Sequence, residues 1–310
     1  SWLPRNSARG KRRARMSMDR RTLLKGLAVA GAGAVAPVEA SEKYAEAPDD
    51  AVGMLYDATK CIGCQACVTA CKTANNMPGN RYNPPEDLSG DTKNIIRLYE
   101  EADETSYMKS QCMHCVDPGC CNACMIGAFK KREYGIVTWD PDRCIGCRYC
   151  QVACPYNIPK FQWNTGVPLI VKCELCNHII HDPDTGTLRE GALPGCCQAC
   201  PKEAVIFGKY TDLIEDAKQR IADRPERYWG PDGEPKIFGL TDGGGTQVLY
   251  LADLNFEKLG LPTLGDEGTA KQAREIQHGI YRGFIAPVAL YGVLGLVMWR
   301  NSRAAKKEEG

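Results

Sequence analysis

Apolar positions along this chain fall into short runs broken by cysteine, proline and glycine, with one long exception near the end. Val52–Tyr56, Ile136–Trp139, Ala204–Phe207 and Thr246–Leu251 are brief, rich in branched or aromatic residues and bounded by turn formers, so they predict strands. Leu213–Ala222 carries its apolar residues at helical spacing and predicts an amphipathic helix. Between that helix and the last strand, Arg224–Gly245 is rich in proline and glycine and is expected to run over the surface. Short helices are expected to follow the third cysteine of each group described below.

The exception is Gly283–Trp299, seventeen residues without a charge. At ~1.5 Å per residue it reaches roughly 25 Å, slightly short of a ~30 Å hydrocarbon core. Tyr281 and Trp299 suit the interfaces, and Arg282 and Arg300 can snorkel to lengthen the span. A single transmembrane helix is expected. Arg300, Arg303, Lys306 and Lys307 outnumber Glu308 and Glu309 beyond it, so the C-terminus is expected on the cytoplasmic side.

The other end reads as an address. Arg20-Arg21, then Lys25, precede a weakly apolar run at Gly26–Ala36 and a small-residue pattern, Val38-Glu39-Ala40. This is the form of a twin-arginine export signal, with Met16 or Met18 expected as the start and the residues before it as upstream sequence. That route carries proteins folded and loaded with cofactor in the cytoplasm, so the many cysteines are expected to meet iron in a reducing compartment. The expected organisation is a leader over 1–40, one cysteine-rich domain over 41–265, a juxtamembrane linker over 266–282, the helix over 283–299 and a tail over 300–310. The domain is expected on the periplasmic side of the inner membrane.

Charge changes the picture little and cysteine changes it completely. The formal net charge is +1, but residues 1–40 hold nine Lys/Arg against two acids, leaving 30 against 36, a net of −6, for the remainder. No basic face is offered to phosphates, which excludes nucleic acid as a partner. All eighteen cysteines lie between Cys61 and Cys200.

They form four groups. Cys61, Cys64, Cys67 and Cys71 are spaced C-x2-C-x2-C-x3-C, and Cys144, Cys147, Cys150 and Cys154 repeat that spacing. Cys112, Cys115, Cys120 and Cys124 are spaced C-x2-C-x4-C-x3-C, and Cys173 and Cys176 are followed after a longer insert by Cys196 and Cys200. Three cysteines on a tight loop can wrap three corners of a cubane, while the fourth, carried off on a helix start, reaches the neighbouring cluster. Gly63 and Gly146 sit inside Cys-Ile-Gly-Cys turns, where a missing side chain lets amides point at sulfur. Zinc sites rarely place three cysteines within seven residues ahead of a fourth, and a disulfide scaffold explains neither register nor repeat. Sixteen cysteines are therefore expected to hold four [4Fe–4S] clusters.

The groups are also duplicated. Lys60–Cys64 with Ala70-Cys71 matches Arg143–Cys147 with Ala153-Cys154, and Pro118–Cys124 matches Pro194–Cys200. Cys121 and Cys197 are left over at equivalent positions and are expected to be buried small hydrophobes, with a redox or repair role as the alternative.

From Val52 to about Pro262 the chain resembles the four-cluster ferredoxin-type electron-transfer subunits of respiratory oxidoreductases, most of all the membrane-anchored iron–sulfur subunit of hydrogenase-2 type nickel–iron hydrogenase. The residues that carry the resemblance are Cys61–Val68 (CIGCQACV), Lys109–Pro118 (KSQCMHCVDP), Cys147–Lys160 (CRYCQVACPYNIPK), Lys172–Asn177 (KCELCN), Ala204–Gly208 (AVIFG), Gly243–Leu249 (GGGTQVL) and Ile276–His278. A leader and an anchor on one chain fit that subunit type. The resemblance implies an α+β fold, a tandem ferredoxin-like domain plus one C-terminal transmembrane helix. It also implies how the groups share clusters: Cys61, Cys64, Cys67 and Cys200; Cys173, Cys176, Cys196 and Cys71; Cys112, Cys115, Cys120 and Cys154; and Cys144, Cys147, Cys150 and Cys124. The implied partners are hydrogenase small and large catalytic subunits and an integral membrane quinone-reactive subunit, with a molybdopterin reductase or formate dehydrogenase as the alternative setting. One departure is Met125 after Cys124, where the family pattern has proline.

No base, nucleophile or open metal position is evident in the sequence, so an electron carrier without a catalytic site of its own is expected. Lys60, Lys72, Arg143, Arg148, Lys172 and Lys202 adjoin the cysteines and are either levers on cluster potential or ordinary solvated charges. His114, His178 and His181 are expected to pack or hydrogen-bond. His278 is expected in polar interface packing, or else near a quinone or membrane partner.

Overall fold

The computed structural model of the chain describes residues 46–78 and 87–308. The export signal expected at 1–40, with Arg20, Arg21 and Lys25, lies outside the described residues. The chain divides into a cysteine-rich body that ends at Arg274 and a separate unit that holds the helix from Glu275 onward.

The body is organised by a three-stranded sheet in the order β8-β1-β9, with β1 at Val52–Asp57, β8 at Val205–Lys209 and β9 at Val248–Leu251. β1 pairs antiparallel with β8, Val52 opposite Lys209 and Tyr56 opposite Val205, and parallel with β9, Met54 opposite Val248. Every residue of β1 and β9 is buried, which is why β9, and β1 up to its closing Asp57, read as uncharged, largely apolar runs. Three two-stranded pieces surround this sheet: β2 (Asn94–Glu101) with β3 (Glu104–Gln111), β4 (Phe129–Lys131) with β5 (Val137–Trp139), and β6 (Lys160–Phe161) with β7 (Ile170–Val171). The core around the sheet contains Met54, Tyr56, Val68, Ile136, Leu175, Val248 and Tyr250, and it takes in cysteines of the first, second and fourth groups.

Among the described residues the body holds six α-helices: α1 (Ala66–Ala74), α2 (Gly119–Asn122), α3 (Tyr149–Val152), α4 (Asn177–Ile180), α5 (Gly195–Gln198) and α6 (Tyr210–Asp223). α6 packs Leu213 and Ala217 on the far side of the sheet. The helices expected to follow the third cysteines instead begin one residue before them, so Cys67, Cys120, Cys150 and Cys196 each occupy the second helical position. The segment expected to run over the surface is mixed: 231–234 is exposed, but Ile237, Phe238 and Asp242 turn inward, with Phe238 stacked on Tyr250.

α7 runs from Lys271 to Glu308, so the expected linker is helical from 271 on. Its stretch Gly283–Arg303 is long and apolar enough to cross a membrane and is unburied. His278 lies in this helix, and its side chain is outside the described residues. The first turn is tied down: Arg274 donates from both guanidinium nitrogens to Asp117, at 2.5 and 2.6 Å, on the loop between Cys115 and Cys120.

Candidate metal centres

Backbone conformation builds the cysteine loops. Gly63 and Gly146 adopt φ of 68° and 70°, and the residues after the second cysteines, Gln65 and Arg148, follow at 58° and 66°. A pair of left-handed residues curls the loop so that its amides face inward before the helix starts. Amides reach sulfur at Gly63 to Cys61 Sγ (3.5 Å), Leu175 to Cys173 (3.4 Å), and Ala128 to Cys124 and Ala204 to Cys200 (both 3.2 Å).

Helix packing then brings groups together in pairs. α1 of the first group packs on α5 of the fourth, and α2 of the second on α3 of the third. The two crossings are equivalent. A Cβ on Gly195 would lie 3.3 Å from the carbonyl oxygen of Ala70, and one on Gly119 would lie 2.7 Å from that of Ala153. In both cases the glycine before a third cysteine meets the residue before a partner group's fourth.

The thiols consequently gather in four sets drawn from two groups each. Cys61, Cys64, Cys67 and Cys200 line one small cavity with Tyr56, Gln65 and Ile96. The Asn75 amide reaches both Cys71 (3.7 Å) and Cys176 (3.8 Å), and Cys71 feels the charges of Cys173, Cys196 and Cys176. Cys115 is surrounded by Cys112, Cys120 and Cys154. Cys150 feels Cys144 and Cys147, and Cys124 packs in the same apolar cluster as Cys144 and Cys150. Neighbouring sets feel each other's charge at Cys67 and Cys196, at Cys173 and Cys112, and at Cys150 and Cys120, which orders them from first to fourth. The exposed cysteines, Cys64 and Cys147, belong to the two end sets.

No disulfide joins any of the eighteen cysteines. Burial, reinforced by neighbouring thiolates, pushes most of them up: Cys67 to about 11, and Cys150, Cys154 and Cys173 to about 12. Cys196 goes the other way, pulled down by a hydrogen bond from Cys197 and, after the cost of burial, by Lys109. Such crowding of sulfur without cation is unfavourable, and iron bound by the thiolates reverses it. No three Cys, His, Asp or Glu side chains among the described residues close on one point, as a single metal ion requires. Four thiols around a cavity, met by backbone amides, fit a cluster.

Of the basic residues singled out by sequence, Lys172 and Lys72 are buried; Arg143, Arg148 and Lys202 are exposed, and Lys60 is half-buried. Lys172 Nζ donates to the carbonyls of Val137 (2.5 Å) and Cys173 (2.9 Å), and Arg148 lies over the Trp163 ring at 4.0 Å. The histidines pack as expected. His114 is buried and accepts from Val137 N at 3.1 Å, and burial with the nearby Lys172 holds its pKa well below the usual value. His178 pairs with the Ala74 carbonyl and His181 lies edge-on to Tyr134. Cys121 and Cys197 are half-buried rather than buried, because each follows a third cysteine on a one-turn helix whose outer face is open. Sequence reasoning passed over Lys109 and Asp57. Both are fully buried polar residues in strands that lead into cysteine loops; the strand pattern ending at Asp57 was a signal for that residue, and no such pattern marked Lys109.

Two family models match the chain, a 4Fe-4S binding domain over residues 52–73 and a 4Fe-4S dicluster domain over 104–210. The chain is 40% identical to the hydrogenase-2 operon protein HybA of Escherichia coli, over 81% of this chain and 85% of that protein. It is 34% identical to the iron–sulfur subunit of nitrate-inducible formate dehydrogenase from the same species, over 64% of this chain and 67% of that subunit. On these grounds the chain belongs to the 4Fe–4S ferredoxin-type iron–sulfur proteins, the electron-transfer family that includes HybA and the formate dehydrogenase iron–sulfur subunits.

Proposed function

We propose that this chain is the electron-transfer subunit of a periplasmic nickel–iron hydrogenase, relaying electrons between its small and large catalytic subunits and a quinone-reactive membrane subunit. The observation that carries the reading is the gathering of sixteen thiols into four sets, each drawn from two sequence groups, with the exposed Cys64 and Cys147 in the first and the last. The ligands proposed for the four clusters are the four sets named above.

When bound, a [4Fe–4S] cluster accepts and returns one electron. The chain's own residues set where and how. Backbone amides at Gly63, Ala128, Leu175 and Ala204 donate to sulfur and stabilise negative charge there. The buried core keeps water from the inner sets, and Cys64 and Cys147 bring the end sets to the surface, where partners can approach. The apolar stretch Gly283–Arg303 supports a single-pass anchor, with export by the twin-arginine route and a cytoplasmic C-terminus. The similarity to formate dehydrogenase subunits favours, as a second reading, the same role beside a molybdopterin enzyme.

Anaerobic purification from membranes with partners attached, followed by metal analysis, tests this. About sixteen irons per chain with nickel in the complex is expected. Molybdenum in place of nickel would shift the assignment to the second reading, and a colourless, iron-poor chain would overturn both.

A further inference from the structure

Lys109 lies on β3 with its side chain fully buried, an uncommon place for a lysine. Its ammonium has one hydrogen-bond partner among the described residues, the neutral side-chain oxygen of Gln111 at 2.6 Å, and no carboxylate. The groups that act on it most strongly are thiols: Cys196, Cys67, Cys173 and Cys71. Cys67 belongs to the set with Cys61, Cys64 and Cys200. The other three belong to the set completed by Cys176.

A buried ammonium without a counter-charge is costly, and a neutral amide does little to offset it. Among the described residues, the negative charge that acts on it most strongly is thiolate sulfur of these two adjacent sets. Lys172 occupies the comparable place between the second and third sets, but it is met by two carbonyls and has Glu174 nearby. Arg143 and Arg148, which adjoin cysteines of the fourth set in sequence, are exposed. Lys109 is thus a fixed positive charge whose balance is left to the metal centres.

We propose that Lys109 is a positioning residue for electrons: its ammonium is the shared counter-charge of the first two cluster sites, raising the potential of both and leaving the other two unaffected. This rests on the electron-relay reading above. Each electron taken up at either site, from the neighbouring redox centre, adds one negative charge beside the ammonium and is passed on without loss of a proton from the lysine.

The test is an anaerobic potentiometric titration, followed by electron paramagnetic resonance, of the full chain as wild type, Lys109→Met and Lys109→Arg, each first assayed for iron. Lys109→Met is expected to keep its iron and to move two of the four potentials downward by at least tenfold in the reduction equilibrium, ~59 mV for a one-electron couple. The other two should stay in place, and Lys109→Arg should titrate like wild type. Full iron with no potential moved overturns the role of Lys109 alone, whereas a wild-type chain without iron overturns the relay reading itself. If Lys109→Met does not retain iron, Lys109→Arg decides: iron and potentials kept with arginine support the charge, and iron lost with both variants overturns it.

Discussion

Asp57 closes β1 just ahead of the first cysteine loop, and its replacement by asparagine is a sharp test of how that loop is held. The carboxylate is fully buried and all four of its partners donate. Oδ1 accepts from the Thr59 amide at 3.1 Å and the Thr59 hydroxyl at 2.6 Å; Oδ2 accepts from Arg220 Nη1 at 3.2 Å and the Tyr228 hydroxyl at 3.1 Å. An asparagine NH₂ must face either the Thr59 amide or Arg220, so donor meets donor in both orientations. Breaking a buried ion pair costs about 3–5 kcal/mol. Arg220 keeps Asp216 at 2.7 Å, a half-exposed partner worth only a few tenths, so the lower figure applies, about 3 kcal/mol. For a body of this size that is a fall of about 6–12 °C in apparent Tm. Asp57→Ala also removes the cap on the short turn Ala58–Lys60 and should cost about 1 kcal/mol more. Scanning calorimetry of anaerobically purified variants reads the effect, with iron content as a second measure because Cys61 follows that turn. An Asp57→Asn chain within about 1 kcal/mol of wild type would refute the reasoning.

Equivalent glycines should respond unequally to alanine. A Cβ on Gly63 would meet the Tyr107 ring at 2.2 Å in a left-handed backbone, so Gly63→Ala is expected to cost about 3 kcal/mol and to lower iron loading. Gly146→Ala has the same φ but open space, and chemical denaturation should show about 1 kcal/mol. At the helix crossings, Gly119→Ala drives a methyl onto a backbone oxygen at 2.7 Å, whereas Gly195→Ala meets the Ala74 methyl at 3.1 Å; Gly119→Ala should show the larger loss of Tm. Burial pushes the Tyr210 phenol from 10 to about 12. The unfolded chain ionises above pH 10 and the folded chain resists until about 12, so about 2–3 kcal/mol is intact below pH 10 and lost by pH 12. Tyr210→Phe should remove that part of the alkaline decline in Tm.

The local chemistry was legible because it is local: cysteine spacing, the glycines at 63 and 146, and the buried runs of β1 and β9 each depend on a few adjacent residues. The hairpin β2–β3 was not. Its second strand, Glu104–Gln111, turns Ser106, Lys109 and Gln111 inward, so the rule that apolar residues mark the buried face fails. The interior there is lined with sulfur, and polar side chains have a use in it. Helix starts were misplaced for a similar reason. The left-handed residues that launch α1 and α3 are Gln65 and Arg148, neither of which favours that conformation by itself, and the cysteine loop imposes it. Pairing between groups came from resemblance alone, since spacing shows that cysteines are shared and says nothing of which groups meet.

The sheet supplies the missing physical reason for that pairing. Cys61 follows β1 by a single short turn, and Cys200 precedes β8 by another. Antiparallel pairing sets Tyr56 opposite Val205, and Asp57 N donates to the Ala204 carbonyl at 2.7 Å, so strand register alone carries the ends of the first and fourth groups to one place. The loop closed in this way is long, but closure entropy grows only with the logarithm of length, and buried strand pairs with apolar contacts can offset it before metal arrives. The second and third groups, nearer in sequence, need no such clamp; the β4–β5 ribbon lies between them and the α2–α3 crossing joins them. A one-residue slip of β1 against β8 would turn Met54 and Tyr56 out of the core and displace Cys61 from Cys200 together. Core packing and the meeting of Cys61 with Cys200 are therefore selected by the same register.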